Sequence, residues 1–250
     1  MKKIYGKTET MNTSGNMFCP GCMHSTFTKI LTQVIDELKI ADKIVFVQPI
    51  GCTNNSSPLI MVDQGCSLHG RAPAFATGVK RCSPESIVFT YQGDGDLTSI
   101  GAAEIIHAAN RGENFCTFLI NNCNYGMTGG QMSPTTMIGQ KTSTTVDGRD
   151  PATTGYPLHM AEIISSIRAV AFSGRFALNN PANINKAKSA IKKAFQNQIN
   201  GKGFSFVEIL SNCPTNWGLS PVESLKFIEE KQMVEFPLGI FKDIDGEVKK

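Results

Sequence analysis

The sequence predicts an α/β fold built on one mainly parallel sheet with helices on both faces. Apolar runs of strand length recur along the chain, and segments with the spacing of amphipathic helices lie between them. The stretch from Ser86 to Ile120 reads strand, helix, strand, which is typical of a crossover between parallel strands. We expect residues 1–219 to form this domain and residues 220–250 to form a peripheral C-terminal helix and tail.

The first part of the chain contains a helix followed by a strand. Apolar residues spaced by three and four between Phe27 and Leu38 predict an amphipathic helix. The run KIVFVQ at residues 43–48 predicts a buried strand that leads into a loop at residues 51–53. A short helix is expected after His69.

The middle of the chain places polar residues after two strands. The run SIVFTYQ predicts a strand at residues 86–92, and the sequence GDGD follows it directly. A helix predicted over residues 98–109 and a strand over residues 115–120 complete the crossover, and two asparagines come next.

The second half begins with a long segment that lacks periodicity. Residues 126–157 are rich in Gly, Thr and Pro, and loops of this length inside a compact domain are usually functional or mobile. Helices are predicted near residues 160–168 and 184–198. A strand is predicted over residues 204–210, shortly before Cys213.

Composition and charge exclude several classes of protein. Hydrophobic residues make up 41% and charged residues 18%, as in ordinary globular proteins, and a net charge of +3 without a basic stripe does not indicate nucleic-acid binding. The first residues lack the apolar core of a signal peptide, and the longest apolar runs are too short to span a membrane. We therefore expect a cytoplasmic protein, whose eight cysteines are metal ligands or buried thiols in place of disulfides.

The two polar strand ends predict a magnesium and diphosphate site. Asp94 and Asn122 follow neighbouring parallel strands, and their oxygens are of the kind that Mg²⁺ prefers. Gly93 and Gly95 allow the backbone to approach an anion at the start of the next helix. A Rossmann fingerprint fails because Thr98 stands where its third glycine is needed, and the sequence contains no P-loop. A simple Gly/Asp turn is the alternative for GDGD taken alone.

The spacing of these motifs resembles the thiamine-diphosphate signature. The 25 residues 96–120 separate GDG from the Asn-Asn pair, and NYGMTGGQMSPTT follows. Together these motifs resemble the thiamine-binding β subunit of the 2-oxoacid:ferredoxin oxidoreductases, of the 2-oxoisovalerate or 2-oxoglutarate type. The resemblance extends from about Phe18 to Trp217 and implies the diphosphate-binding half of that fold.

The resemblance implies a set of cofactor contacts and metal ligands. The side chains of Asp94 and Asn122 and the main-chain carbonyl of Asn124 would hold Mg²⁺. The segment SLHGRA matches the family and implies that His69 lies near the phosphates; a satisfied helix-start histidine is the alternative. The other implied cofactor contacts are Gly51, Cys52, Thr53, Gly93, Gly95, Asp96, Gly126, Met127 and Thr128. The resemblance assigns no catalytic residue to this chain.

The pair Cys19 and Cys22 in CPGC has three interpretations. A thioredoxin-like redox pair needs a preceding strand, a zinc site needs a second close pair, and an iron–sulfur site needs two more thiolates. The resemblance supplies Cys52 and Cys213 as those two, which implies one [4Fe–4S] cluster. Met23 departs from the glycine that many relatives have after CPGC.

The remaining cysteines are interpreted as structural. Cys116 lies in an apolar strand, Cys82 carries no motif, and the sequence does not decide whether Cys66 or Cys123 has a further role.

The implied activity is oxidative decarboxylation of a 2-oxoacid to acyl-CoA and CO2 with reduction of ferredoxin. It requires an α subunit with the pyrimidine-binding half, γ and δ ferredoxin-like subunits, and coenzyme A. Two alternatives stay open: a non-oxidative thiamine-dependent subunit without a cluster, and a non-enzymatic electron-transfer module. The favoured substrate is a branched-chain 2-oxoacid or 2-oxoglutarate. The glycine after Thr128, where some 2-oxoglutarate-using relatives carry lysine, favours branched-chain acids, although other relatives of the 2-oxoglutarate type share this glycine.

Overall fold

The computed structural model describes residues 6, 8–12 and 15–246. The outer limits of the two expected units, residues 1 and 250, and parts of both chain ends lie outside the described residues. Seven strands form one sheet: β1 Ile44–Gln48, β2 Asp63–Cys66, β3 Ile87–Gly93, β4 Cys116–Asn121, β5 Val170–Ala177, β6 Phe204–Leu210 and β7 Gly239–Asp243.

The sheet has the order β2-β1-β3-β4-β6-β5-β7. Every neighbouring pair is parallel except β5 with β7, which is antiparallel. The β3 and β4 strands pair with Gly93 opposite Ile120. This arrangement confirms the predicted α/β fold with a mainly parallel sheet.

Nine α-helices accompany the sheet in the described residues. They are α1 His24–Leu38, α2 Ala72–Cys82, α3 Ala102–Asn110, α4 Pro151–Thr154, α5 Met160–Ser166, α6 Pro181–Ile199, α7 Pro214–Trp217, α8 Pro221–Phe227 and α9 Met233–Glu235. Shorter 3₁₀ or π turns cover Ala41–Lys43, Cys52–Leu59, Gly95–Ile100 and Ile228–Gln232. None of the helices within the described ranges is long and apolar enough to cross a bilayer.

The two faces of the sheet carry separate hydrophobic cores. The α1 and α6 helices cover one core, which contains Phe27 and Phe195, and α2, α3 and α5 cover the other, which contains Ala76 and Ile164. The β3, β4 and β6 strands are buried along almost their whole length because helices lie on both sides of them. Their near-continuous apolar runs made them predictable.

Three strands were not predicted from the sequence. The β2 sequence DQGC is polar and partly exposed, and β7 is an edge strand that pairs only with β5 among the described strands. The β5 strand is buried, but Ser173, Gly174 and Arg175 interrupt its apolar run. Arg175 is fully buried because it forms ion pairs with Glu162 and Glu208. The periodicity of the sequence does not predict such pairs.

The C-terminal segment differs from the peripheral tail that was expected after residue 219. Ile228, Gln232 and Phe236 are fully buried, and β7 extends the sheet. The Gln232 side chain donates to the main-chain oxygen of Asn121 at 2.9 Å, at the end of β4. This segment is therefore packed onto the core of the same domain.

A buried ion-pair network joins this segment to the centre of the sheet. The Nη2 atom of Arg175 lies 2.5 Å from Oε2 of Glu162, and its Nε lies 2.9 Å from Oε2 of the fully buried Glu208, without hydrogen-bond alignment. The guanidinium also lies 5.3 Å from the ring centre of Phe236. Glu208 in turn accepts a hydrogen bond from the Asn121 side chain at 2.8 Å.

Arg175→Leu should lower the free energy of unfolding by about 3–5 kcal/mol, because it leaves the buried Glu208 carboxylate without its cation. Lys188→Leu is the matched control: Lys188 pairs with Glu37, whose side chain is 43% exposed, and such a pair contributes about 1 kcal/mol or less. Urea denaturation monitored by circular dichroism measures the free energy of unfolding of both variants. Equally small losses of this free energy in the two variants would contradict the importance of the buried network.

Candidate cofactor and metal site

Four adjacent strands deliver the candidate residues to one edge of the sheet. The carboxyl ends of β1, β3, β4 and β6 are followed by the Cys52 loop, Asp94, Asn122 and Cys213, respectively. Because these strands are parallel and adjacent in the order β1-β3-β4-β6, all four loops lie at the same edge. Sequence reasoning predicted that Asp94 and Asn122 would be neighbours, and the register of β3 with β4 confirms it.

Asp94 is held at this edge by two hydroxyl groups from the long loop. Its Oδ2 accepts hydrogen bonds from Ser133 Oγ at 2.7 Å and Thr135 Oγ1 at 2.5 Å, and its main-chain oxygen accepts one from Thr98 at 2.7 Å. Burial raises the pKa of the Asp94 carboxyl to about 6, and the hydroxyl bonds oppose that rise. The Oδ1 atom of the same carboxyl faces Asn122.

The Asn122 side-chain amide faces two oxygen atoms, Oδ1 of Asp94 and the main-chain oxygen of Asn124. The position of Asn122 Oδ1 is 2.7 Å from the main-chain oxygen of Asn124 and 3.1 Å from Oδ1 of Asp94. A reversed amide would place nitrogen there and donate to both oxygens. Ligands at about 2.0–2.1 Å from an octahedral Mg²⁺ lie about 2.9 Å apart when adjacent, so the observed spacing fits a shared cation.

Asp96 occupies a different environment from Asp94. Its Oδ1 accepts a hydrogen bond from the Gly70 main-chain N–H at 2.8 Å and also contacts Nδ1 of His69, and its Oδ2 accepts one from the Gln92 amide. Both carboxylate oxygens are therefore engaged within the protein. The arrangement fixes the His69 ring, which borders the same cavity as Asp94.

One cavity is lined by every residue that the sequence proposed for the cofactor and for magnesium. Its lining includes Gly51, Cys52, Thr53, His69, Gly93, Asp94, Gly95, Asp96, Asn122, Asn124, Gly126, Met127 and Thr128. Sequence reasoning did not assign His24, Ile50 or Tyr125, which line it as well. Thr53 Oγ1 is buried without a hydrogen-bond partner, which leaves a polar atom for a ligand.

Glycines make room inside this cavity in two places. A Cβ atom at Gly95 would overlap the Tyr125 ring, so this glycine accommodates an aromatic wall. A Cβ atom at Gly126 would lie 3.1 Å from Sγ of Cys52. The expected backbone approach to an anion has space at Gly93, where an added Cβ would meet no atom within 4 Å.

The loop at residues 126–157 is organised around a buried arginine. The Arg149 guanidinium donates to four main-chain oxygens at 2.9–3.2 Å, those of Pro134, Thr154, Gly155 and Tyr156, and to that of Thr136. These bonds explain how a long segment with one short helix stays ordered. The loop can then present Ser133 and Thr135 to Asp94.

A second cavity is lined by the four predicted cluster ligands. Cys19, Cys22, Cys52 and Cys213 all border it, and all are free thiols. His24, Cys52, Asn122 and Gly126 border this cavity and the first one, so the two spaces share a wall.

Asn212 connects the CPGC turn to the turn that contains Cys213 through two hydrogen bonds. Its side chain accepts a hydrogen bond from the Met23 main-chain N–H and donates one to the Gly21 oxygen, each at 3.0 Å. Gly21 has φ of +76°, which suits glycine. Met23, directly after this turn, is buried in the core.

Burial raises the pKa of the Cys22 thiol to about 11 and that of the Cys52 thiol to about 12. Within the described ranges, no group of three or more His, Cys, Asp or Glu residues is arranged to hold one metal ion. Four thiols that border one cavity match the number of ligands of a [4Fe–4S] cluster and also that of a four-cysteine zinc site.

The other four cysteines lie outside both cavities. Cys66 and Cys82 are exposed, and Cys116 and Cys123 are buried. Cys123 has φ of +58°, and its sulfur lies 3.3 Å from the Gln232 side-chain nitrogen. Cys116 belongs to the core, as predicted.

The fold and the cavity define a thiamine diphosphate-binding domain. Residues 48–209 match the family model of the thiamine pyrophosphate enzyme C-terminal TPP-binding domain. The chain is 35% identical over 226 residues to the 2-oxoglutarate synthase subunit KorB of Archaeoglobus fulgidus, covering 90% of this chain and 79% of that protein. The chain therefore belongs to the family of 2-oxoacid:ferredoxin oxidoreductase subunits.

Other relatives agree with this assignment. The ketoisovalerate oxidoreductase subunit VorA of Methanothermobacter marburgensis is 45% identical over 230 residues, which are 92% of this chain and 48% of that protein. The chain thus spans about half the length of that relative. The 2-oxoglutarate:ferredoxin oxidoreductase of Magnetococcus marinus shares the fold, with a TM-score of 0.78 at 23% identity over 96% of this chain and 85% of that one.

Cation binding at the three oxygens should depend on pH. A Mg²⁺ ion held by Asp94 would need the ionised carboxylate. Burial raises the pKa of this carboxyl to about 6, so protons would compete with the metal below that pH. We expect the apparent Mg²⁺ affinity to fall about tenfold per pH unit below pH ~6 and to level off above pH ~7. Calorimetric titration at several pH values measures this.

Two variants control the experiment. Asp94→Asn should lose most of the Mg²⁺ affinity, whereas Asp63→Asn, which changes an exposed carboxyl, should keep the wild-type profile. An affinity that does not vary between about pH 5 and pH 8 would rule out Asp94 as the titrating ligand.

Proposed function

We propose that this chain is the part of a 2-oxoacid:ferredoxin oxidoreductase that binds thiamine diphosphate, Mg²⁺ and one [4Fe–4S] cluster. The complex would convert a 2-oxoacid and coenzyme A to acyl-CoA and CO2 and reduce ferredoxin. The observation that carries the proposal is the wall shared by two cavities. In one, the Asn122 amide faces Asp94 Oδ1 and the Asn124 main-chain oxygen, and the other is lined by four thiols.

The proposed metal ligands are Asp94, Asn122 and the Asn124 main-chain oxygen. Ser133 and Thr135 donate hydrogen bonds to Oδ2 of Asp94, which leaves Oδ1 for the cation. The cation would neutralise the diphosphate, since none of the residues that line the cavity in the described chain is a lysine or an arginine. This explains why a divalent metal is needed there.

The other cavity residues would contact the cofactor directly. Gly51, Thr53, Gly95, Gly126, Met127 and Thr128 would border the diphosphate together with Gly93 and Cys52. We propose that Asp96 acts through His69: its carboxylate contacts Nδ1 and fixes the ring, and when both ring nitrogens carry protons the other one can donate to a phosphate oxygen. This changes the role expected for Asp96 from direct contact to orientation.

When bound, thiamine diphosphate supplies the carbanion chemistry of decarboxylation, and an iron–sulfur cluster accepts electrons singly. The chain's contribution is to hold the two groups on either side of one wall. Cys52 lies in that wall and would be a cluster ligand beside the cofactor. His24 also lies there, and its Nδ1 is 2.5 Å from the Tyr91 hydroxyl, which fixes its ring in the buried interior.

A partner chain would complete the cofactor site. Apolar side chains remain exposed around the first cavity: Leu68 is 79% exposed, Met127 51% and Ile50 37%. We propose that an α subunit carrying the pyrimidine-binding half covers them, and that γ and δ ferredoxin-like subunits pass electrons to ferredoxin. The eight free cysteines support a reducing, cytoplasmic location for this complex.

The lining of the cavity favours a branched-chain 2-oxoacid over 2-oxoglutarate. A second carboxylate would find no lysine or arginine among the described lining residues. Gly129, which follows Thr128, has φ of +108°, a conformation that a lysine would rarely adopt. The named activity of the VorA relative agrees with this preference.

The assembled complex should reduce a viologen dye with 2-oxoisovalerate, coenzyme A, thiamine diphosphate and Mg²⁺. We expect kcat/KM for 2-oxoisovalerate to exceed that for 2-oxoglutarate roughly tenfold or more, because the distal carboxylate lacks a cationic partner. This chain alone should be inactive. Full activity without a partner, or a preference for 2-oxoglutarate, would contradict the corresponding part of the proposal.

Cysteine variants test the cluster separately from the decarboxylation. Cys22→Ser should lose most of the bound iron and the broad visible absorption that dithionite bleaches, because it removes a proposed ligand. Cys82→Ser alters an exposed thiol outside both cavities and should keep both. Normal iron content in Cys22→Ser would favour the non-oxidative alternative without a cluster at these thiols.

A further inference from the structure

The segment from Cys213 to Trp217 forms hydrogen bonds with residues that border both cavities. Asn216 Nδ2 donates to the main-chain oxygen of Gly126 at 2.8 Å, and the same nitrogen lies 3.4 Å from Sγ of Cys213. An amide NH2 group carries two N–H bonds, so one serves each partner. Gly126 borders the cofactor cavity and Cys213 borders the thiol cavity, so this amide joins the two sites.

Neighbouring contacts hold the same junction together. The Trp217 main-chain N–H donates to the main-chain oxygen of Cys213 at 2.9 Å. The Trp217 indole N–H donates to the main-chain oxygen of Asn122 at 3.2 Å. The indole bond ties this turn to Asn122, which borders both cavities.

The Asn216 side chain is also packed against the loop that follows Gly126. A Cβ atom added at Gly130 would lie 3.0 Å from the Asn216 Cβ. The turn between Gly126 and Gly130 thus closes directly over this asparagine. A change in the position of Asn216 would move the loop that borders the cofactor.

We propose that Asn216 is a positioning residue that couples the iron–sulfur site to the cofactor site. It holds the Gly126 loop in place for the diphosphate and donates a hydrogen bond to the Cys213 ligand of the cluster. This inference rests on the proposed function. A hydrogen bond to a cluster sulfur stabilises the more negative reduced form and so raises the reduction potential. Because one amide serves both sites, an effect on one is transmitted to the other.

The test uses Asn216→Leu in the assembled complex, because leucine keeps the size of the side chain and removes both N–H groups. A redox titration followed by electron paramagnetic resonance measures the cluster potential, and calorimetry measures thiamine diphosphate affinity. We expect a more negative potential and an affinity roughly two- to tenfold weaker. Asn216→Asp, which has the same shape without N–H donors, carries the test if the leucine variant does not assemble.

Asn185→Leu is the matched control. Asn185 is an exposed asparagine on α6 that borders neither cavity, so neither quantity should change. An Asn216 variant that contains the cluster and keeps both wild-type values would overturn the inference, and so would a change in only one of them. A wild-type complex without a cluster signal or without thiamine diphosphate binding would instead refute the proposed function, and the inference with it.

Discussion

The parallel pairing of β3 with β4 is the constraint on which the candidate site depends. With Gly93 opposite Ile120, the residues after both strands emerge at one edge, so Asp94 and Asn122 meet there. The β1 and β6 strands flank this pair and bring the Cys52 and Cys213 loops to the same edge. A shift of one residue in this register would separate the oxygens and reverse the faces of the β4 side chains.

Electrostatics is the reason to propose a cation at this site. The raised pKa of the Asp94 carboxyl reflects the cost of burying its charge. A divalent metal would reverse that cost at Asp94 and Asn122 and would offset the charge of a diphosphate. In the buried Arg175–Glu208 pair, by contrast, the protein itself supplies both charges. This pair stabilises the sheet behind the site.

The sequence predicted the parts of the fold and site that local patterns encode. The β6 strand, the α2 helix and the GDGD and Asn-Asn strand ends follow from apolar runs and turn residues, and the family assignment follows from their spacing. The β5 strand was not predicted because Arg175 interrupts its apolar run. Only the ion pair with Glu208, which is distant in the sequence, allows this arginine to be buried. Asn212 and Asn216 were missed because their roles depend on contacts between segments far apart in the chain. Ser133 and Thr135 stood within a recognised motif, but only the fold shows that they bond Asp94.

The central claim is that Asp94, Asn122 and the Asn124 main-chain oxygen share one divalent cation with a diphosphate. A crystal structure of the complex with thiamine diphosphate and Mn²⁺ in place of Mg²⁺, with anomalous data at the manganese edge, tests it most directly. The account predicts one anomalous peak within about 2.2 Å of all three oxygens, with the Asn122 amide oxygen turned toward it. A peak elsewhere, or a cofactor bound away from these residues, would contradict it.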